Sequence, residues 1–186
     1  MDIQTVLDRA EINDLLCKYS RGLDRVDEAT LRSIYWDDAI EDRGPGLYIG
    51  NAQKWVDWTL GVLPVFAVTQ HGLMNILIEV EGNVAWGETY FQAYHRFGRN
   101  QQQQAAAALL PADRTDIVWP EGDTEMILAG RYLDRFEKRG GVWKIAYRRM
   151  VNDWCRTQPV AEDWFRDNPT AYRSRKTLED ARAPTR

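Results

Sequence analysis

The chain has 186 residues, enough for one domain with a substantial core. Hydrophobic residues make up 44% and charged residues 28%, with a formal net charge of −4, which fits a globular protein and argues against a nucleic-acid partner. No apolar run is long enough to span a membrane, and Met1-Asp2-Ile3-Gln4 lacks the basic start and apolar stretch of a secretion signal, so a cytoplasmic location is expected.

Residues 3–23 predict an amphipathic helix, with Ile3, Val6, Leu7, Ala10, Ile12, Leu15, Leu16 and Tyr19 at helical spacing and Gly22 at its end. Cys17 and Cys155 are the only cysteines; Cys17 lies in this apolar helix and is expected to be buried, and neither belongs to a zinc-type cluster. A second short helix is expected from Glu28, capped by Asp27, with Ala29, Leu31, Ile34 and Tyr35 inward. Gly44-Pro45-Gly46 breaks regular structure, and residues 51–63 predict a third helix carrying Trp55 and Trp58.

The pattern then changes to strands. Residues 72–80 and 84–97 predict a hairpin turning at Glu81-Gly82-Asn83. In the second strand Val84, Trp86, Glu88, Tyr90, Gln92 and Tyr94 share one face, while Ala85, Gly87, Thr89, Phe91, Ala93, His95 and Phe97 share the other. Residues 98–122, with four glutamines followed by four alanines, are expected to form a long loop, first as an inert insertion and alternatively as a flap over a pocket. Met126 to Glu137, a Gly140-Gly141 turn, and Val142 to Trp154 predict a second hairpin. Residues 156–186 are a polar extension with a short helix expected near 161–166, and residues 1–155 form the domain. Helices first and hairpins after predict an α+β fold in which a curved antiparallel sheet wraps on the helices as a cone with a ligand-holding mouth.

The chain has two histidines: His71 stands just before the first strand of this hairpin and His95 lies in the second, where both can reach one cavity. Imidazole is the side chain best suited to move protons near neutral pH. Asp24 closes the first helix, where the helix dipole disfavours a carboxylate unless a partner compensates it. Tyr19 and Tyr48 are candidate hydrogen-bond donors to a developing oxyanion. Asn75, placed on the His71 side by strand alternation, is a candidate ligand contact. Trp55, Trp58, Trp86 and Tyr90 are candidate pocket-wall aromatics, and Arg131 and Arg149 candidate cavity cations, since Arg148 and Arg149 must face opposite ways. The acidic cluster Asp37-Asp38 and Glu41-Asp42 has the spacing of no metal motif, so no metal is expected, nor any flavin or nicotinamide.

Four stretches carry a family resemblance: residues 12–24 (INDLLCKYSRGLD), 86–91 (WGETYF), 130–137 (GRYLDRFE) and 143–149 (WKIAYRR). On these the chain resembles the SnoaL-like branch of the nuclear transport factor 2-like superfamily over residues 3–155. The superfamily hosts dehydratases, dehydrochlorinases, isomerases, cyclases, oxygenase subunits and transport proteins, so fold alone does not give function. The resemblance implies that Asp24 orients His71, as the equivalent pair does in scytalone dehydratase, bile-acid dehydratase and hexachlorocyclohexane dehydrochlorinase. It implies a role for Tyr19 from the bile-acid enzyme and for His95 as the second histidine of scytalone dehydratase. The pattern departs from the bile-acid enzyme at Ala93, where that enzyme has a carboxylate, and near Asn152, where it has an arginine.

The function implied is a cofactor-independent lyase acting on a hydroxylated aromatic or polycyclic molecule. A phenol could lose a benzylic hydroxyl through a quinone methide, and a lignin-type diarylpropane diol could lose water and formaldehyde to give a stilbene. The alternatives are an isomerase or cyclase acting on a polyketide- or steroid-like ketone, and a non-catalytic module of the oxygenase-subunit kind. The resemblance further implies a homo-dimer or homo-trimer.

Overall fold

The computed structural model of the chain describes residues 2–109 and 118–161. Helix α1 (Ile3–Arg25) is capped by the Asp2 side chain, which accepts from the Thr5 N–H, and ends at Val26 in a left-handed conformation (φ 52°). Its first two turns stand clear of the core: Ile3, Val6 and Leu7 are exposed, and packing begins at Asp8 and Ile12. Gly22 is therefore not the helix terminus. A Cβ there would lie 2.8 Å from the Leu31 side chain, so its glycine permits the close approach of α2 (Glu28–Ser33). Asp27 caps α2 as expected, accepting from Thr30. Cys17 is exposed, contrary to expectation, because it falls on the solvent side of α1.

Two strands escaped sequence detection: β1 (Tyr35–Asp42) and β2 (Ile49–Asn51). Asp37 and Asp38 hide the alternation of β1 by standing exposed between buried Tyr35 and buried Ala39 and Glu41. Gly44-Pro45-Gly46 lies in the loop between β1 and β2, closed by the Arg43 N–H donating to the Tyr48 carbonyl. Helix α3 (Ala52–Val62) follows, capped by the Asn51 side chain.

The first expected hairpin is β3 (Val68–Glu81) and β4 (Val84–Phe97), so His71 lies within a strand rather than before one. Part of the expected loop is a short helix, α4 (Gln102–Leu109). Strands β5 (Thr124–Arg139) and β6 (Val142–Pro159) form the second hairpin, turning on Gly140 and Gly141 with φ 58° and 84°, a conformation glycine adopts freely. Strand β6 carries the sheet four residues past position 155, and the helix expected near 161–166 lies past residue 161, outside the described residues.

The six strands run in the order β2-β1-β6-β5-β4-β3. The sheet is mixed rather than wholly antiparallel, because β1 pairs with β6 in parallel. Register shifts in β3 and in the β5–β6 ladder bend the strands, and the helices pack on the concave face. The convex face bears exposed Leu77, Trp86, Tyr90 and Trp154. No helix among the described residues is long and apolar enough to cross a membrane.

Asp8 ties α1 to the second hairpin. It is buried, and its Oδ1 accepts from Lys138 Nζ at 2.8 Å, Trp143 Nε1 at 2.8 Å and Gln4 Nε2 at 3.1 Å. Burial pushes its carboxyl up most strongly, but these donors together outweigh that and hold it below its ordinary value of 3.8. A depressed carboxyl stabilises the fold above its unfolded value and loses that contribution as pH falls through the folded one. Asp8→Asn is accordingly expected to cost about 1–3 kcal/mol in denaturant unfolding at neutral pH, with the difference from wild type shrinking below pH 3.8.

Candidate active site

A cavity of about 570 Å³ opens between the concave sheet face and the helices, a size suited to a small organic ligand. Tyr19 and Leu23 from α1, Trp55 and Trp58 from α3, Phe91 and Ala93 from β4, and Tyr132 from β5 form its walls. Ala106, Ala107 and Ala108 of α4 close one side, so this part of the expected loop is a cavity wall and not an inert insertion. The base of α4 is pinned by Gln102, whose amide donates to the Pro120 carbonyl and to Thr124 Oγ1.

Asp24 and His71 meet as expected. Strand β3 is a sheet edge, and at His71 its backbone N–H points away from β4. Asp24 Oδ2 accepts that N–H at 2.9 Å, and Asp24 Oδ1 lies 2.7 Å from His71 Nδ1. One carboxylate therefore fixes both the backbone and the ring, which offsets its unfavourable place at the helix C-terminus. His71 lines the cavity, and Nε2 is the ring nitrogen that Asp24 leaves unclaimed. His95 stands opposite Thr69, two residues along from the His71–Ala93 pair, so both imidazoles share one face of the sheet. Their ring centroids are 5.4 Å apart and nearly perpendicular. His95 is buried and also meets Phe66 edge-on.

At the Tyr19 side of the cavity stands a residue that sequence reasoning missed, Arg43. Its Nη2 donates to the Tyr19 oxygen at 2.5 Å, its Nε pairs with Glu41 at 2.6 Å, and its guanidinium lies over the Trp55 ring at 4.5 Å. Burial works against the Arg43 charge, but Glu41 and the neighbouring tyrosines outweigh it and hold the group charged. Burial pushes the Glu41 carboxyl above its ordinary value despite Arg43 and Arg148 beside it. Below the cavity floor Arg148 makes two hydrogen bonds to Asp134, at 2.7 and 2.8 Å, and lies over Tyr19 and Tyr132. Two guanidinium groups thus hold the Tyr19 ring and hydroxyl in place.

The remaining candidates divide. Tyr48, Trp55 and Trp58 line the cavity; the Tyr48 hydroxyl donates to the Asn51 carbonyl at 2.8 Å, and its ring lies so near Gly50 that a Cβ there would be 2.9 Å from the hydroxyl oxygen. Asn75 is exposed and outside the cavity, because the bulge between Leu73 and Ile76 shifts the alternation that placed it inside. Trp86, Tyr90 and Arg131 are on the convex face, where Arg131 pairs with Asp153 and Glu88. Arg149 also points away, to Asp42 at 2.8 Å, and its neighbour Arg148 is the inward one. In the acidic cluster Glu41 and Asp42 are taken up by Arg43 and Arg149, and no three His, Cys, Asp or Glu among the described residues come together as metal ligands.

The chain belongs to the SnoaL-like domain family, whose model matches residues 4–149. It is 26% identical over 149 residues to hexachlorocyclohexane dehydrochlorinase 1 of Sphingobium indicum, covering 78% of this chain and 81% of that one. The crystal structure of LinA superposes with a TM-score of 0.66 at 23% identity, covering 86% of this chain and 94% of the other. A provisionally assigned scytalone dehydratase of Novosphingobium aromaticivorans superposes with a TM-score of 0.65 at 21% identity, covering 87% and 94%. These likenesses establish the α+β cone of the nuclear transport factor 2-like superfamily.

Truncating one partner of the fully buried pair beneath the cavity leaves a stranded charge. Asp134→Ala is expected to lower stability by about 3–5 kcal/mol, read as a lower denaturation midpoint.

Proposed function

We propose that the chain is a cofactor-independent lyase that eliminates water, or water and formaldehyde, from a hydroxylated aromatic substrate. The observation that carries this reading is the two-point hold of Asp24 on His71, with Nε2 left over at an aromatic cavity that His95 also faces. With Asp24 accepting the Nδ1 proton, Nε2 of neutral His71 has its lone pair available as a base. The relatives named for removing hydrogen chloride support elimination as the reaction class. Chloride departs as a stable anion, whereas a hydroxyl needs a proton to leave as water. A second imidazole 5.4 Å from the first meets that need.

In a diarylpropane diol, His71 takes the proton of the primary hydroxyl. The C–C bond to that carbon breaks, formaldehyde departs, and the bonding pair becomes the new double bond. The benzylic C–O bond breaks, and His95 donates the proton that makes the leaving group water. The balance is diol to stilbene, water and formaldehyde, with the His71 proton returned to His95 through solvent. A ring hydroxyl supplies an electron sink through a quinone methide. Tyr19 orients an oxygen of the substrate, and Trp55, Trp58 and Phe91 stack on its rings. The exposed aromatics of the convex face suit a homo-dimer or homo-trimer, and the proposed location is the cytoplasm.

Mixing the protein with a phenolic diarylpropane diol is expected to build a long-wavelength stilbene absorbance, with His71→Ala slowing it by about 10²–10⁴-fold at unchanged circular dichroism. Turnover at a near-normal rate in His71→Ala would sink the assignment. A product of unchanged mass would identify an isomerase or cyclase instead.

A further inference from the structure

We propose that the Arg43 end of the cavity is a phenolate subsite: Arg43 and Tyr19 hold a ring oxygen of the substrate as its anion, while the benzylic carbon of that ring lies against His71 and His95. This deepens the elimination proposed above and rests on it for the second half of the statement. The first half stands on the geometry of Arg43.

The Arg43 side chain is 12% exposed and lines the cavity. Its three nitrogens have unequal partners. Nε has the Glu41 carboxylate, and Nη2 has the Tyr19 oxygen. Among the described residues Nη1 has only the Met150 sulfur, at 2.8 Å, and a thioether is a weak acceptor for a charged donor. Met150 itself lines the cavity, and methionine is the most easily rearranged of apolar side chains. A ligand oxygen displacing that sulfur would exchange a poor acceptor for a charge-assisted hydrogen bond. Because Tyr19 accepts from Arg43, its own hydroxyl hydrogen is available to the same oxygen. Trp55 beneath the guanidinium fixes its plane, so the site is ordered before a ligand arrives.

The charges nearby fit an anion. Tyr19, Tyr132 and Glu41 face Arg43, and Arg148 lies against both tyrosine rings. The acids here, Glu41 beside Arg43 and Asp134 beside Arg148, are buried behind those guanidinium groups and do not line the cavity. The cavity between the two ends suits an aromatic ring. Tyr19 and Arg43 line it at one end and His71 and His95 at the other, with Tyr132 and Phe91, stacked on each other, in its wall.

The chemistry follows from that placement. The phenol O–H bond breaks, the proton passes to solvent, and the pair stays on oxygen. That pair forms the C=O of a quinone methide as the benzylic C–O bond breaks and His95 protonates the departing hydroxyl. Loss of formaldehyde with a proton to His71 returns the pair to the oxygen as phenolate.

The probe is 4-nitrophenol, whose phenolate absorbs apart from its phenol, titrated with acid in the presence of saturating full-length protein. Bound probe is expected to ionise at lower pH than free probe. Arg43→Gln is expected to abolish that shift and weaken binding about ten- to a hundredfold. Tyr19→Phe should reduce both in the same direction, and His71→Ala should leave both intact. Because Arg43→Gln strands Glu41, the double variant Glu41→Gln/Arg43→Gln is measured beside it, and Tyr19→Phe carries the test if neither folds. A wild-type titration matching free probe overturns the proposal. So does a shift that survives Arg43→Gln and Tyr19→Phe, or one that disappears with His71→Ala alone, which would put the anion at the histidines. A normal shift in a protein that eliminates nothing from phenolic benzylic alcohols would retain the subsite and reject the lyase.

Discussion

The candidate site depends on a single carboxylate. Asp24 lies at the end of α1, where the helix dipole opposes it, and its two oxygens are taken by two groups of one residue, His71. The backbone contact satisfies an amide of edge strand β3 that points away from β4, and the ring contact sets which imidazole nitrogen faces the cavity. Fold and site are therefore joined at one point. Packing α1 across β3 brings the carboxylate to the strand, and the same bond that secures the edge also prepares the base.

A second constraint shapes the far end of the cavity. Arg43 and Arg148 are buried charges, and each has a carboxylate within hydrogen-bonding range, Glu41 and Asp134. Such pairs add little net stability relative to an apolar core, but losing one partner is costly. Their effect here is positional. They bracket Tyr19 between Arg148 on its ring and Arg43 on its hydroxyl, so the oxygen is held without freedom to wander. The cavity thus has two polar ends, one of imidazole and one of guanidinium and phenol, joined by aromatic walls.

Much of this was legible in the sequence because it followed from local periodicity. Helical spacing located α1 and α3, the alternation of β4 put His95 inward, and the awkward position of Asp24 called for a partner. Failures occurred where register or tertiary contact decides. Asn75 was misplaced by a bulge that no single-strand pattern reveals. Trp86 and Tyr90 have the aromatic character of a pocket wall, but alternation separates them from His95, and they stand on the convex face. Adjacency on one strand makes Arg148 and Arg149 diverge, but only the ladder with β5 determines which turns inward. Arg43 was missed because β1 was missed: with that strand recognised, buried Glu41 would have called for a nearby cation.

The hold of Asp24 on His71 is open to direct observation by ¹⁵N–¹H nuclear magnetic resonance of the histidine side chains at neutral pH. With two histidines in the chain, assignment needs only His95→Ala as a reference. The account predicts that neutral His71 has its proton on Nδ1, with Nε2 unprotonated, and that Asp24→Asn abolishes this preference. A His71 ring protonated on Nε2 in the wild type, or one indifferent to Asp24→Asn, would contradict it.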